Sequence, residues 1–280
     1  MPNLNQSLIQ HVAVTALLNV ALAVSVAAQG PAPAGELTTV EQSDSSPSQG
    51  PGFMTHYDFH LSAAALSIND PRFSWDTHFG GAIDVVDYGV GRASILADYE
   101  AVLGDEFRPF DPNQSLYTLE TSASVRLGQT EVVGVFLHVS RHLSDRPKRF
   151  PVAWNTAGAR VLRRISISGT SVDLLAEAGG ITQRSFVDYR WNGQFDVLIR
   201  RSVTPTLGLL AHANGQLVGV DPSIVQRGNQ TGGLAEIGVR LNGRAGAIEL
   251  FVGVERRIDA DPLDRQPQQW VMAGFRLLNR

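Results

Sequence analysis

From Thr55 to the C-terminus apolar and polar residues alternate with a period of two, the spacing of side chains along an extended strand. The run from Val187 to Arg200 shows it plainly. Val187, Tyr189, Trp191, Phe195, Val197 and Ile199 alternate with Asp188, Arg190, Asn192, Gln194, Asp196 and Arg200. Applied throughout, the alternation predicts twelve strands near 55–67, 73–88, 91–104, 115–127, 130–144, 153–167, 170–182, 186–200, 204–219, 233–242, 245–256 and 268–279. Each is long enough to cross a bilayer at barrel tilt, which takes about 9–11 residues. Tight connections (Tyr88 to Gly91, Leu127 to Thr130, Ser168 to Thr170, Leu241 to Ala245) alternate with long polar ones (Asp105 to Gln114, Ser144 to Ala153, Asp221 to Gly232, Ile258 to Pro267). Short turns at one end and long loops at the other predict an all-β transmembrane antiparallel up-and-down β-barrel of about 12 strands over residues 54–280.

A soluble β-sandwich alternates too, having one dry and one wet face. Charge and aromatic placement favour the barrel. The polar face carries both signs of charge, as a polar lumen does; the expected lumen-lining set is Asp84, Glu100, Arg126, His138, His142, Arg160, Glu177, Arg190, Asp196, His212 and Arg240. Aromatic residues sit toward strand ends, with Trp75, Tyr117, Tyr189 and Trp191 near the long loops and Tyr57 and Phe275 near the short turns, where a membrane girdle places them.

The segment before the strands predicts export. Val12 to Val26 is an apolar run too short to span a membrane but suited to a signal-peptide core, and Val26-Ala27-Ala28 fits a cleavage site, although no Lys or Arg precedes the run. Residues 1–28 are read as a signal peptide and 29–53, rich in Pro, Gly and Ser, as a flexible periplasmic leader. The chain has no Cys, which excludes lipobox acylation, disulfides and Cys-zinc chemistry. A net charge of -4 without a basic cluster excludes nucleic acid as a partner. The expected location is the bacterial outer membrane of a Gram-negative envelope. The expected partners are outer-membrane lipids, the barrel assembly machinery and periplasmic chaperones during biogenesis, and a small solute.

Chemistry concentrates in Val135 to Asn155, VFLHVSRHLSDRPKRFPVAWN. His142-x-Ser144 followed by Trp154-Asn155 resembles outer-membrane phospholipase A, a twelve-stranded enzyme in which a His, a Ser and an Asn make a serine-hydrolase constellation. His138-x-Ser140-Arg141-His142-Leu143-x-Asp145 followed by Arg149-Phe150-Pro151 is similar to an uncharacterised outer-membrane family, domain of unknown function 1207. The phospholipase resemblance implies a nucleophilic Ser two or three residues before Trp154, where this chain has Pro151 or Val152, so only Ser140 or Ser144 can substitute. Alternation also puts Val133, Val135, Leu137, Val139 and Leu143 on the apolar, lipid-facing side, hence His138, Ser140, His142 and Ser144 in the lumen. The phospholipase family works from the membrane-facing side.

The sequence therefore favours a non-enzymatic barrel with a charged polar lumen, a narrow solute channel or a structural barrel. The alternative is a lipid or ester hydrolase resembling phospholipase A or lipid A deacylase, with His138 or His142 as base, Ser140 or Ser144 as nucleophile, and Asn155. No cofactor is expected. A metal site joining His138 and His142 with His78 or Asp76 is disfavoured, because His138 and His142 lie roughly 13 Å apart along a strand. Asp259, Asp261 and Asp264 in the last long loop suit either a hard cation or simple solvation, the latter being expected.

Overall fold

The computed structural model describes residues 51–144 and 150–279, and the expected signal peptide lies outside them. Twelve strands follow in order: β1 Gly52–Ser67, β2 Trp75–Asp87, β3 Arg92–Gly104, β4 Asp111–Leu127, β5 Thr130–Leu143, β6 Val152–Ile167, β7 Thr170–Ser185, β8 Tyr189–Ser202, β9 Leu207–Val220, β10 Gln230–Asn242, β11 Gly246–Asp261 and β12 Gln266–Asn279. β1 starts inside the stretch read as leader. Every strand pairs antiparallel with its sequence neighbours, and β1 meets β12 from His60↔Leu278 to Ser67↔Val271. The sheet closes on itself as the predicted up-and-down barrel, which removes the unpaired edges that hydrocarbon cannot satisfy. The turn joining β6 to β7 shows why its hairpin is so tight: Ser168 and Gly169 have φ of 47° and 77°, the pair of left-handed residues that a type I′ turn requires.

Outward positions form an apolar belt. Phe79, Ile95, Phe136, Val161, Phe195, Leu209, Ile237, Leu250, Val252 and Val271 are all exposed, a surface that water does not tolerate and a bilayer does. The inside is filled by paired charges. Arg160 donates to Glu120 and Glu177, both at 2.6 Å, and Arg92 to Asp84 at 3.0 Å and Glu131 at 2.9 Å. On the opposite wall Arg276 joins Glu236 (3.1 Å) to Glu249 (2.9 Å), Arg240 adds a second bond to Glu249, and His212 meets Asp196 at 2.6 Å. Such buried ions persist only when paired and hydrogen-bonded. Between Arg92 and Arg160 a cavity of about 10 Å³ remains, room for roughly one water.

At the long-loop end β11 folds in over the lumen and is bonded to other strands. Its pairing with β12 shifts between Arg257 and Asp261, Asp259 takes a φ of 43°, and Ile258 and Ala260 are fully buried. The displaced backbone is held from other strands: Arg141 Nη1 donates to Asp259 O at 2.8 Å and Gln114 Nε2 to Ala260 O at 2.6 Å. The Asp259 carboxylate accepts from Tyr189 Oη and from both Nη atoms of Arg227, each at 2.7 Å. Asp261 and Asp264 accept from Arg72 at 2.8 and 2.7 Å. The three aspartates of this loop are thus bound to arginines, which corrects the expectation of a simply solvated acidic loop.

Most of the expected lumen set does point inward: Asp84, Glu100, Arg160, Glu177, Asp196 and His212 are buried, and Arg126 and Arg240 reach Asp87 and Glu249. Three residues do not. Arg190 is exposed, because the β8–β9 register shifts between Tyr189 and Trp191 and leaves it bulged out of the ladder. His138 and His142 face outward, because the whole of β5 is turned the other way from its sequence reading. Val133, Val135, Leu137 and Val139 are buried within, packed against Leu116, Val152, Trp154 and Leu162. Tyr189, expected in the girdle, is likewise inside.

Candidate functional site on the outer face

Turning β5 around moves its polar residues to the barrel surface. His138, Ser140 and His142 occupy successive outward positions near the long-loop end. Across the ladder His138 is opposite Asn155 of β6, and Asn155 is opposite Gln183 of β7. Gln183 reaches this face because the β6–β7 register shifts beside Asn155, so that Thr182 is an extra residue and the side chain after it is re-aimed outward.

The hydrogen bonds run as a chain. Asn155 Nδ2 donates to Gln183 Oε1 at 3.1 Å, which turns Asn155 Oδ1 toward His138. His138 Nδ1 donates to that oxygen at 2.6 Å. A proton held on Nδ1 leaves Nε2 as the basic nitrogen of the ring. Ser140 Oγ lies 3.3 Å from His142 Nε2, and the ring of His142 stands edge-on to Tyr117, centroids 5.1 Å apart. Tyr117 in turn packs on Tyr99 at 5.0 Å. Ser144, the other serine candidate, lies in the turn beyond β5, where its amide donates to Asn113 O.

These polar groups stand where alternation predicts lipid contact, beside exposed tyrosines of the kind that mark a membrane–water boundary. The constellation contains a hydroxyl, two imidazoles and an amide that orients one of them, the parts list of nucleophilic acyl transfer. The Asn155 role was suggested by the sequence; Gln183 was not. Its signal is the consecutive polar pair Thr182-Gln183, which breaks the alternation of β7. His78 and Asp76 face the lumen while His138 and His142 face out, so a metal site joining His138 and His142 with His78 or Asp76 is excluded by geometry.

No protein-family model matches the chain and no curated protein matches it, so the resemblance to domain of unknown function 1207 finds no support. Solved structures do match. Outer membrane phospholipase A from Escherichia coli aligns over 81% of this chain and 98% of its own at 11% identity, with a TM-score of 0.51. An active-site mutant of the same enzyme aligns over 85% of this chain and 95% of its own, also at 11% identity, with a TM-score of 0.50. At this identity the likeness is one of fold, and the fold is that of outer-membrane barrels.

Proposed function

We propose that this chain is an outer-membrane serine esterase that cleaves acyl-ester lipids at its membrane-facing surface. The observation that carries the reading is the outward chain Gln183–Asn155–His138, with Ser140 the next outward residue of the same strand and hydrogen-bonded to His142. Support of a second kind comes from the fold, shared with a phospholipase, and from the short sequence likeness in which a His-x-Ser precedes a Trp-Asn. The serine two residues after the oriented His is Ser140, not Ser144.

In the proposed reaction Ser140 Oγ attacks the ester carbonyl carbon as its proton passes to His138 Nε2. His138 is preferred as base because Asn155 fixes its tautomer and ring plane. Collapse breaks the acyl C–O bond, the imidazolium returns the proton to the departing alcohol oxygen, and water then releases the acyl group by the same route. His142 holds the Ser140 hydroxyl in the resting enzyme. The ester bonds of a lipid lie near the headgroup boundary, the level at which Tyr99 and Tyr117 place this face.

A solute channel, favoured by the sequence, is less well supported, since paired charges fill space along the lumen walls and the β11 segment at the outer end reaches across to β5 and β8. The deciding test is one refolded preparation, assayed in micelles for phospholipid and short-chain ester cleavage and in planar bilayers for conductance. Cleavage lost in Ser140→Ala but kept in Ser144→Ala, without discrete conductance steps, is the expected result. Conductance steps with no Ser140-dependent cleavage overturn it in favour of the channel.

A further inference from the structure

Beneath the displaced segment of β11, β2 and β3 assemble a second group of side chains inside the barrel. Asp76 and His78 are two apart on β2 and both point inward, and Glu100 of β3 is opposite His78. All three are buried, and one ligand atom from each lies within 4.8 Å of the others. Arg257 of β11 donates to Asp76 Oδ2 and, at 2.7 Å, to Glu100 Oε1. The second oxygen of each carboxylate, Asp76 Oδ1 and Glu100 Oε2, is buried with no hydrogen-bond partner. Leaving such acceptors without a partner is costly, so two of them side by side call for a bound group.

The histidine is oriented to supply one more donor atom. His78 Nδ1 meets Asp98 Oδ2 at 3.1 Å, and the other oxygen of Asp98 meets His60 Nε2 at 2.7 Å. This turns His78 Nε2 toward Asp76 Oδ1, 3.7 Å away. A carboxylate behind the far nitrogen is the usual support of a metal-binding imidazole. Charge points the same way. Four carboxylates gather here, Asp76, Asp98, Glu100 and Glu255, the last bonded to Arg257 at 2.8 Å. Against them stand the guanidiniums of Arg257, bonded to Asp76, Glu100 and Glu255, and of Arg141, which acts on Glu100. With neutral imidazoles the group carries an excess of two negative charges, which one divalent cation cancels.

We infer that Asp76, His78 and Glu100 form a buried site for a single divalent transition-metal ion of the zinc class. One imidazole and two carboxylates suit zinc and its neighbours better than calcium or magnesium, which take oxygen alone. Tetrahedral ligands at about 2.0–2.1 Å from an ion stand about 3.3 Å apart, so the three groups close in by about 1.5 Å at most on binding. The ion would pin β2 to β3 and, through Arg257, to β11. Because the three groups are buried, it enters as the barrel folds. None of these residues belongs to the outward serine cluster, so the inference stands or falls apart from the esterase reading.

The test is to refold the full chain in detergent with EDTA or with zinc chloride, pass it through gel filtration, and measure zinc by elemental mass spectrometry beside the thermal unfolding midpoint. One zinc per chain and a higher midpoint are expected, both lost in Glu100→Gln and in His78→Ala and both kept in His142→Ala. No stoichiometric zinc in the parent chain, or zinc that persists in Glu100→Gln or disappears in His142→Ala, overturns the site. Should the lumen variants fail to fold, the cobalt-loaded parent chain decides: intense four-coordinate absorption bands support it, and the weak spectrum of the hydrated ion overturns it.

Discussion

β5 and β11 alternate equally well and point their apolar residues in opposite directions. On β11, Glu249, Glu255 and Arg257 face the lumen while Ile248, Leu250, Val252 and Val254 face out. On β5, Val133, Val135, Leu137 and Val139 face the lumen while His138, Ser140 and His142 face out. The lumen is therefore mixed: on β5 and β6 an apolar cluster sits beside the ion pairs of Glu131 and Arg160, whereas around β10 to β12 ion pairs predominate. Where the inside is apolar, the polar face is left looking at the membrane, and such a surface needs a functional reason.

The sharpest way to break this contrast is at the outward face of β5. Ser140→Ala is expected to lower ester cleavage by about a thousandfold or more, with the unfolding midpoint unchanged; a parallel loss of stability would instead make the cluster a packing element. Next comes the charged interior. Removing Arg160 by Arg160→Ala strands Glu120 and Glu177 and should cost about 3–5 kcal/mol, read as a lower urea midpoint of unfolding. Facing is tested directly by truncating one leucine from each strand. Leu137→Ala, inside, should cost about 2–5 kcal/mol, and Leu250→Ala, which faces lipid, clearly less. Equal losses would sink the inversion of β5.

Smaller effects probe the supports. Gln183→Ala should reduce turnover by about tenfold by freeing Asn155 to rotate, and the reduction should be absent in an Asn155→Ala background. Smallest is a loop tie. Asp221, after β9, accepts from the Ser223 hydroxyl, from Arg184 and from the Ser223 amide, and these hold its carboxyl down at about 2. Since a free Asp titrates near about 3.9, the tie contributes fully above that pH and is lost as pH falls through 2. Backbone exchange in residues 221–229 should rise over that interval, whereas Asp221→Asn should abolish the rise.

The strands were legible because period two is a local property: β8 can be found from fourteen residues without knowing what surrounds it. Which way a strand faces is a property of its neighbours. Nothing within β5 says that Leu116 and Trp154 supply an apolar inside, so the assumption of a uniformly polar lumen inverted it. Asn155 was suggested by its place after Trp154, but Gln183 depends on a bulge that shifts parity by one, and Asp259 on arginine and tyrosine partners scattered over three other segments of the chain. Those pairings carry no local signature.

The Asp259 closure also bears on how the rim moves. Its partners come from β4, β5, β8 and the loop after β9, segments that a simple meander would let fray one hairpin at a time. Tied through one carboxylate and two carbonyls, they open together or not at all, so amide exchange at the outer ends of these strands should follow a single opening free energy. Substituting Asp259 would release β8 and the loop after β9 from that unit while the two carbonyls still hold β4 and β5.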